Sequence, residues 1–113
     1  MAGFAELQDL LDAFYAERDW RQFQTPKDVA AALAIEASEL QQLFLWLEPA
    51  EQQRVVRERG EEIAQELADV VVNCLNLAYL ADVDLERSVR EKLRLLTDKY
   101  PAATARGQVA PHR

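Results

Sequence analysis

The feature that most constrains this chain is where its acids fall. From residue 26 to about 47, apolar residues recur at helical spacing. At about 100° per residue, Val29, Leu33, Leu40, Leu43 and Leu47 share one stripe. Glu36 lies in the middle of that stripe, and Glu39 lies on its flank beside Ile35 and Trp46, while Lys27, Ser38, Gln41 and Gln42 hold the polar side. A second stretch, roughly 61–81, repeats the pattern. Glu62, Glu66, Asp69, Asn73, Leu77 and Leu80 share a stripe, and nearly every other position from Leu67 to Ala81 is apolar. A helix that is apolar all round is buried by its neighbours. Acids therefore interrupt the inward faces of two separate helices.

Burying an ionised carboxylate without a partner is very costly, and neither stripe carries a Lys or Arg. Hard divalent cations would compensate, because Mg²⁺ and Mn²⁺ prefer carboxylate oxygens. A spacing of three puts both acids of each pair on one side of the helix, a turn apart. An acid pair at this spacing is ordinarily a solvated face. Two pairs that each break an apolar stripe favour a metal cage instead. Glu36, Glu39, Glu66 and Asp69 are the expected ligands, with Mg²⁺ the expected ion and Mn²⁺ the alternative. The single His112 and the single Cys74 leave no ligand set for zinc.

The remaining chain extends the helical pattern. Phe4, Leu7, Leu11 and Phe14 place a first helix over 4–19. Thr25 reads as an N-cap, with Pro26 in the first helical position and Asp28 three residues after the cap. Residues 50–59 are strongly charged and read as a helical turn or a mobile link, ended by Gly60. Asp84 reads as the N-cap of a last helix, 85–99, which stops at Tyr100-Pro101. Three Gly and four Pro in 113 residues argue against a turn-rich sandwich or barrel. The expectation is an all-α four-helix bundle over residues 1–105, with 106–113 a disordered tail.

Twenty acids against thirteen Lys and Arg give a net charge of −7, which excludes the basic face that nucleic acid requires. No apolar run reaches the length of a membrane span and the first residues carry no basic secretory region, so a cytoplasmic protein without a membrane partner is expected. Long apolar stripes on two helices leave surface to cover, and closed symmetric oligomers are the usual outcome. A homodimer or homotetramer is expected.

These residues also resemble a known family. The order is E-x-x-E-L (Glu36, Glu39, Leu40), Trp46, E-L-x-D-V (Glu66 to Val70), and K-L-x-x-x-x-x-K-Y-P (Lys92 to Pro101). It is similar to the MazG-like, all-α nucleoside triphosphate pyrophosphohydrolases. The segment ERDW-x-x-F (Glu17 to Phe23) resembles the dCTP pyrophosphatase branch. The resemblance implies Mg²⁺-dependent hydrolysis of a (deoxy)nucleoside triphosphate, such as dCTP or a modified dNTP, to the monophosphate and pyrophosphate. It implies a dimer or tetramer with sites near subunit interfaces. By position it makes Glu36, Glu39, Glu66 and Asp69 metal ligands, with Glu36 or Glu39 also taking the water proton. It places Trp20 and Trp46 near the base, Asn73 facing the site, and Lys92 and Lys99 near the phosphates. Two positions depart from many relatives: Ile35 replaces a third acid, and Leu96 replaces an Asn. The rival readings are a related pyrophosphatase acting on another nucleotide such as dUTP, and a non-catalytic helical oligomer that binds divalent metal.

Overall fold

A computed structural model describes residues 3–109. Helix α1 (Phe4–Arg18) ends where Asp19 turns left-handed at φ 53°, its N–H closing on the carbonyls of Tyr15 and Ala16. A short 3-10 turn (Arg21–Phe23) leads to α2 (Pro26–Gln42). The start of α2 is as the sequence dictates: Thr25 Oγ1 accepts the N–H of Asp28 at 3.1 Å, and Pro26 fills the first turn, where an N–H has no intrahelical partner.

The end of α2 differs from expectation. It stops at Gln42, and 43–46 form turns, with Trp46 at φ 68°. The stripe drawn through Leu43, Trp46 and Leu47 is therefore not continuous helix. The charged stretch after it is a helix in its own right, α3 (Pro49–Glu58). Pro49 at its first turn and Glu51 Oε1 accepting the N–H of Glu48 at 3.1 Å close its N-terminus.

Helix α4 (Gly60–Leu80) follows directly after Arg59, which grips Glu62 through two hydrogen bonds of 2.8 and 2.6 Å. Helix α5 (Leu85–Lys99) is capped by Asp84 Oδ1 accepting from the N–H of Arg87 at 3.1 Å, and Tyr100-Pro101 ends it. A four-residue α6 (Ala102–Ala105) occupies residues expected at the edge of the tail. Of the expected tail, 110–113 lie outside the described residues, as does His112. No strand occurs among the described residues, so the fold is all-α.

The main packing is α2 along α4, with α1 and α3 also laid on α4 and α5 resting chiefly on α1. The fully buried core is small: Val29, Leu75, Ala78 and the polar Asn76. A single copy does not bury α4 on all sides, since Leu67, Val72 and Tyr79 remain exposed. The chain exposes 9025 Å², against roughly 6,300 Å² for a compact monomer of this mass. Its radius of gyration is 17.3 Å, against about 13 Å for a compact chain of this length. α1 and α4 leave a groove of about 620 Å³ between them, lined by Phe4, Leu7, Phe14, Leu67, Val71 and Leu75 among others. No helix is long and apolar enough to cross a membrane among the described residues.

Leu75 lies at the one point where packing is tight. Leu75→Ala should cost about 2–5 kcal/mol by the usual cost of a buried leucine cavity. Urea unfolding at fixed protein concentration measures it; a loss below about 0.5 kcal/mol would show that the site collapses freely.

Candidate metal centre

The two acid pairs meet across the α2–α4 seam. Carboxylate oxygens of Glu36, Glu39 and Glu66 lie within 4.8 Å of one another. Glu36 and Glu66 are half-buried and Glu39 is exposed. Asp69 is exposed and outside this tight group, one turn along α4. Its charge still reaches Glu36 and Glu66. Glu62, on the same stripe, is engaged by Arg59, whose hydrogen bonds and charge pull its carboxyl below the ordinary value.

The electrostatics of the cluster are those of an acid cage without a counter-charge. Loss of water holds the Glu36 carboxyl above its ordinary 4.5, and the negative charges of Glu39, Asp69 and Glu66 push in the same direction. Glu66 is raised in the same way, first by burial, then by the charges of Glu39, Asp69 and Glu62. Oε2 of Glu36 and Oε2 of Glu66 are buried without a hydrogen-bond partner. Buried acceptors are normally satisfied. Two orphaned carboxylate oxygens facing one group of acids fit a hard divalent cation, which bonds oxygen and supplies the missing charge.

The other expected site residues are scattered. Asn73 is half-buried, and its Nδ2 donates to the carbonyl of Asp69 at 2.9 Å. Trp46 is 92% exposed in the turn beyond α2. Trp20, 44% exposed, precedes the other end of α2 and stacks edge-on against Phe14. The seventeen residues of α2 between them span roughly 25 Å of helix axis. Lys92 is exposed on α5, and Lys99 lies 5.5 Å from the Tyr100 ring. Trp20 and Trp46 thus stand beyond opposite ends of α2, and no basic group is among the charges acting on Glu36 or Glu66.

Sequence reasoning missed a second polar centre, built on Arg21. Its Nη2 donates to Asp12 Oδ1 at 2.6 Å, and its Nη1 donates to Gln24 Oε1 at 3.0 Å and Asn76 Oδ1 at 3.1 Å. Its guanidinium lies over the rings of Tyr79 and Tyr15, at 3.8 and 4.6 Å. These groups come from α1, the 3-10 turn and α4, and no periodicity links them. The polar Asn76 in an apolar run was the one available signal.

The sequence pattern of the MazG-like family matches residues 31–108, and that stretch holds the whole acid cluster. The chain belongs to the MazG-like family. It is 36% identical to dCTP pyrophosphatase 1 of Rattus norvegicus over 110 residues, which are 95% of this chain and 64% of the rat protein. It is 38% identical to dCTP pyrophosphatase 1 of Homo sapiens over 104 residues, 89% of this chain and 61% of the human protein. The chain thus spans less than two thirds of the length of these relatives. A crystal structure of a pyrophosphatase from Archaeoglobus fulgidus superposes with a TM-score of 0.79 at 32% identity, covering 89% of this chain and 94% of that one.

The raised carboxyls set a pH dependence. Glu36 and Glu66 hold their protons more tightly folded than unfolded, where 4.5 applies. Between that value and their folded values the folded chain carries more protons, so its stability falls as pH rises. The melting temperature in EDTA should therefore drop as pH is raised from about 4.5 toward neutrality. Glu36→Gln should flatten the drop and melt a few degrees higher at neutral pH. A flat wild-type profile would contradict the repulsion described for this cluster.

Proposed function

We propose that this protein is a divalent-metal-dependent nucleoside triphosphate pyrophosphohydrolase, releasing pyrophosphate and the nucleoside monophosphate, with dCTP or a modified deoxynucleotide as substrate. The observation that carries the reading is the convergence of Glu36, Glu39 and Glu66, two of them ending in buried, unsatisfied oxygens. The membership in the MazG-like family and the relatives named dCTP pyrophosphatase 1 support it.

On this reading Glu36 and Glu66 hold Mg²⁺, or Mn²⁺, through their buried oxygens, and Glu39 and Asp69 complete the ligand set. The bound ion neutralises phosphate oxygens and lowers the pKa of water. Glu39, the exposed member of the tight group, is the one that reaches solvent and takes the proton from the attacking water. The new bond joins that oxygen to the α-phosphorus. The bond to the oxygen bridging α and β breaks, and pyrophosphate leaves with the electron pair. Trp20 and Trp46 take the base, Asn73 lines the site, and Lys92 and Lys99 meet the phosphates. The catalytic domain in this reading covers 1–105, with 106–113 as its tail.

The assembly in this reading is a four-helix bundle completed as a homodimer or homotetramer. A single copy exposes about 2,700 Å² more than a compact monomer would; over two copies that is about 5,400 Å², at the upper end of the 2,000–5,000 Å² or more that obligate homodimers bury in total. The apolar groove between α1 and α4 lies within that surplus. The site in this reading lies near a subunit interface, where Lys92, Lys99 and the tryptophans meet the substrate.

Pyrophosphate release from a panel of dCTP, dUTP and the other nucleoside triphosphates, with and without Mg²⁺, tests the activity and its base preference. Glu66→Gln and Asp69→Asn should lower turnover by about a hundredfold or more, the scale of charge stabilisation in phosphoryl transfer, without lowering the metal-free melting temperature. Gln65→Ala, on an exposed position of α4, should change neither. Near-normal turnover in both charge-removed variants would exclude the site. Sedimentation should give a dimer or tetramer of the 12.9 kDa chain; a monomer alone at micromolar concentration would contradict the assembly.

A further inference from the structure

We propose that Arg21 is a positioning residue for nucleotide binding: it locks the connection between α1 and α2 so that Trp20 and Phe23 stand on the surface as a fixed aromatic platform for the base. This rests on the nucleotide reading above and adds to it two residues, Arg21 and Phe23, and a physical division of labour between them.

The connection is held far more firmly than a loop of this length requires. Arg21, its side chain 16% exposed, ties Asp12 of α1, Asn76 of α4 and Gln24 of its own segment into one fork. Asn76 is 2% exposed, and its Nδ2 donates to the Tyr15 hydroxyl at 3.1 Å. Gln8 Nε2 donates to Asp12 Oδ1 at 3.0 Å and to the carbonyl of Leu75 at 3.1 Å, anchoring the acid that Arg21 grips. Tyr15 carries the guanidinium on its ring and also stands 6.1 Å from the ring of Trp20. The fork thus fixes, through one shared ring, where Trp20 lies.

Folding alone does not account for what is presented. Trp20 is 44% and Phe23 72% exposed, although stability would favour burying both. In a 3-10 turn residues three apart eclipse, so Trp20 and Phe23 stand on the same side. Arg21 also leaves its Nε buried without a partner, a cost to stability. A rigid, costly clamp beneath exposed aromatics is the arrangement expected of a preorganised stacking surface, because aromatic faces bind bases by stacking and rigidity lowers the entropy lost on binding.

The test compares Arg21→Met, Arg21→Lys and Arg54→Met, the last removing an exposed arginine from α3. Because Arg21→Met strands the Asp12 carboxylate, the double change Arg21→Met with Asp12→Leu is made as well, an apolar replacement of the pair that folds use without penalty. Loss of the clamp should raise KM for dCTP about tenfold or more, the equivalent of one lost base stack, while kcat and the Mg²⁺-induced rise in melting temperature change less than about twofold. Arg21→Lys keeps the charge but not the planar fork, so it should recover melting temperature and leave KM raised. Arg54→Met should change neither. In a Trp46→Phe background, Trp20 is the one remaining tryptophan; its emission should become more accessible to acrylamide in the Arg21 variants. A folded Arg21 variant with a wild-type KM and wild-type quenching would overturn the proposal, whatever its melting temperature. Should the wild type hydrolyse no nucleotide of the panel, the reading of the activity fails, and unchanged quenching of Trp20 would still overturn the clamp on its own.

Discussion

Mutual repulsion among carboxylates across the α2–α4 seam is the constraint around which the molecule is organised. Glu36, Glu39 and Glu66 share one small volume, with Asp69 close enough to add its charge. Like charges held close in a partly desolvated site disfavour one another's ionised form. The folded chain therefore carries an electrostatic debt at neutral pH that α2 and α4 withstand only through their apolar packing at Val29, Leu75 and Ala78. A divalent cation bound at the seam would offset that repulsion. On the proposed function, the feature that weakens the metal-free fold is the one that would suit the seam to phosphate chemistry.

Around this seam the chain distributes its stability unevenly. Among the described residues Val29, Leu75, Asn76 and Ala78 form the buried core, and long apolar surfaces on α1, α4 and α5 stay open. Hydrophobic burial is the dominant favourable term in folding and association alike. A chain that keeps so much apolar surface outside its own core leaves part of that term unused, and the proposed oligomer would draw on it. The placement of the tryptophans beyond opposite ends of α2, and of the basic helix α5 against α1 rather than the acid seam, follows the same division. The tryptophans and lysines are displayed outward, while the three glutamates converge within one copy.

Arg21 illustrates a different use of buried polarity. Two carboxylate oxygens in the seam are buried without a partner, whereas both Nη atoms of Arg21 are paired, with Asp12, Asn76 and Gln24, and its Nε alone is left over. Satisfied networks rigidify their surroundings. The two polar centres thus differ: one gathers like charges, and the other ties the segment that leads into α2 to α1 and α4.

The sequence by itself determined the helical class, the N-terminal starts of α2 and α5, and the presence of a carboxylate cluster. These follow from local chemistry: helical periodicity, a Thr25-Pro26 cap, an Asp84 cap, and acids that interrupt apolar stripes. The stop of α2 at Gln42 was not legible, because Leu43 to Leu47 continue the apolar period and only the turn at Trp46 breaks it. Nor was α3, whose charged residues gave no inward face to read. Tertiary structure alone decided which of the four acids draw together, leaving Asp69 a turn away, and it alone joined Arg21 to Asp12 and Asn76. Both outcomes depend on how two helices sit against each other and on where a connection crosses them. Periodicity fixes which face a residue occupies along its own helix. Only packing sets which residue of another element lies opposite.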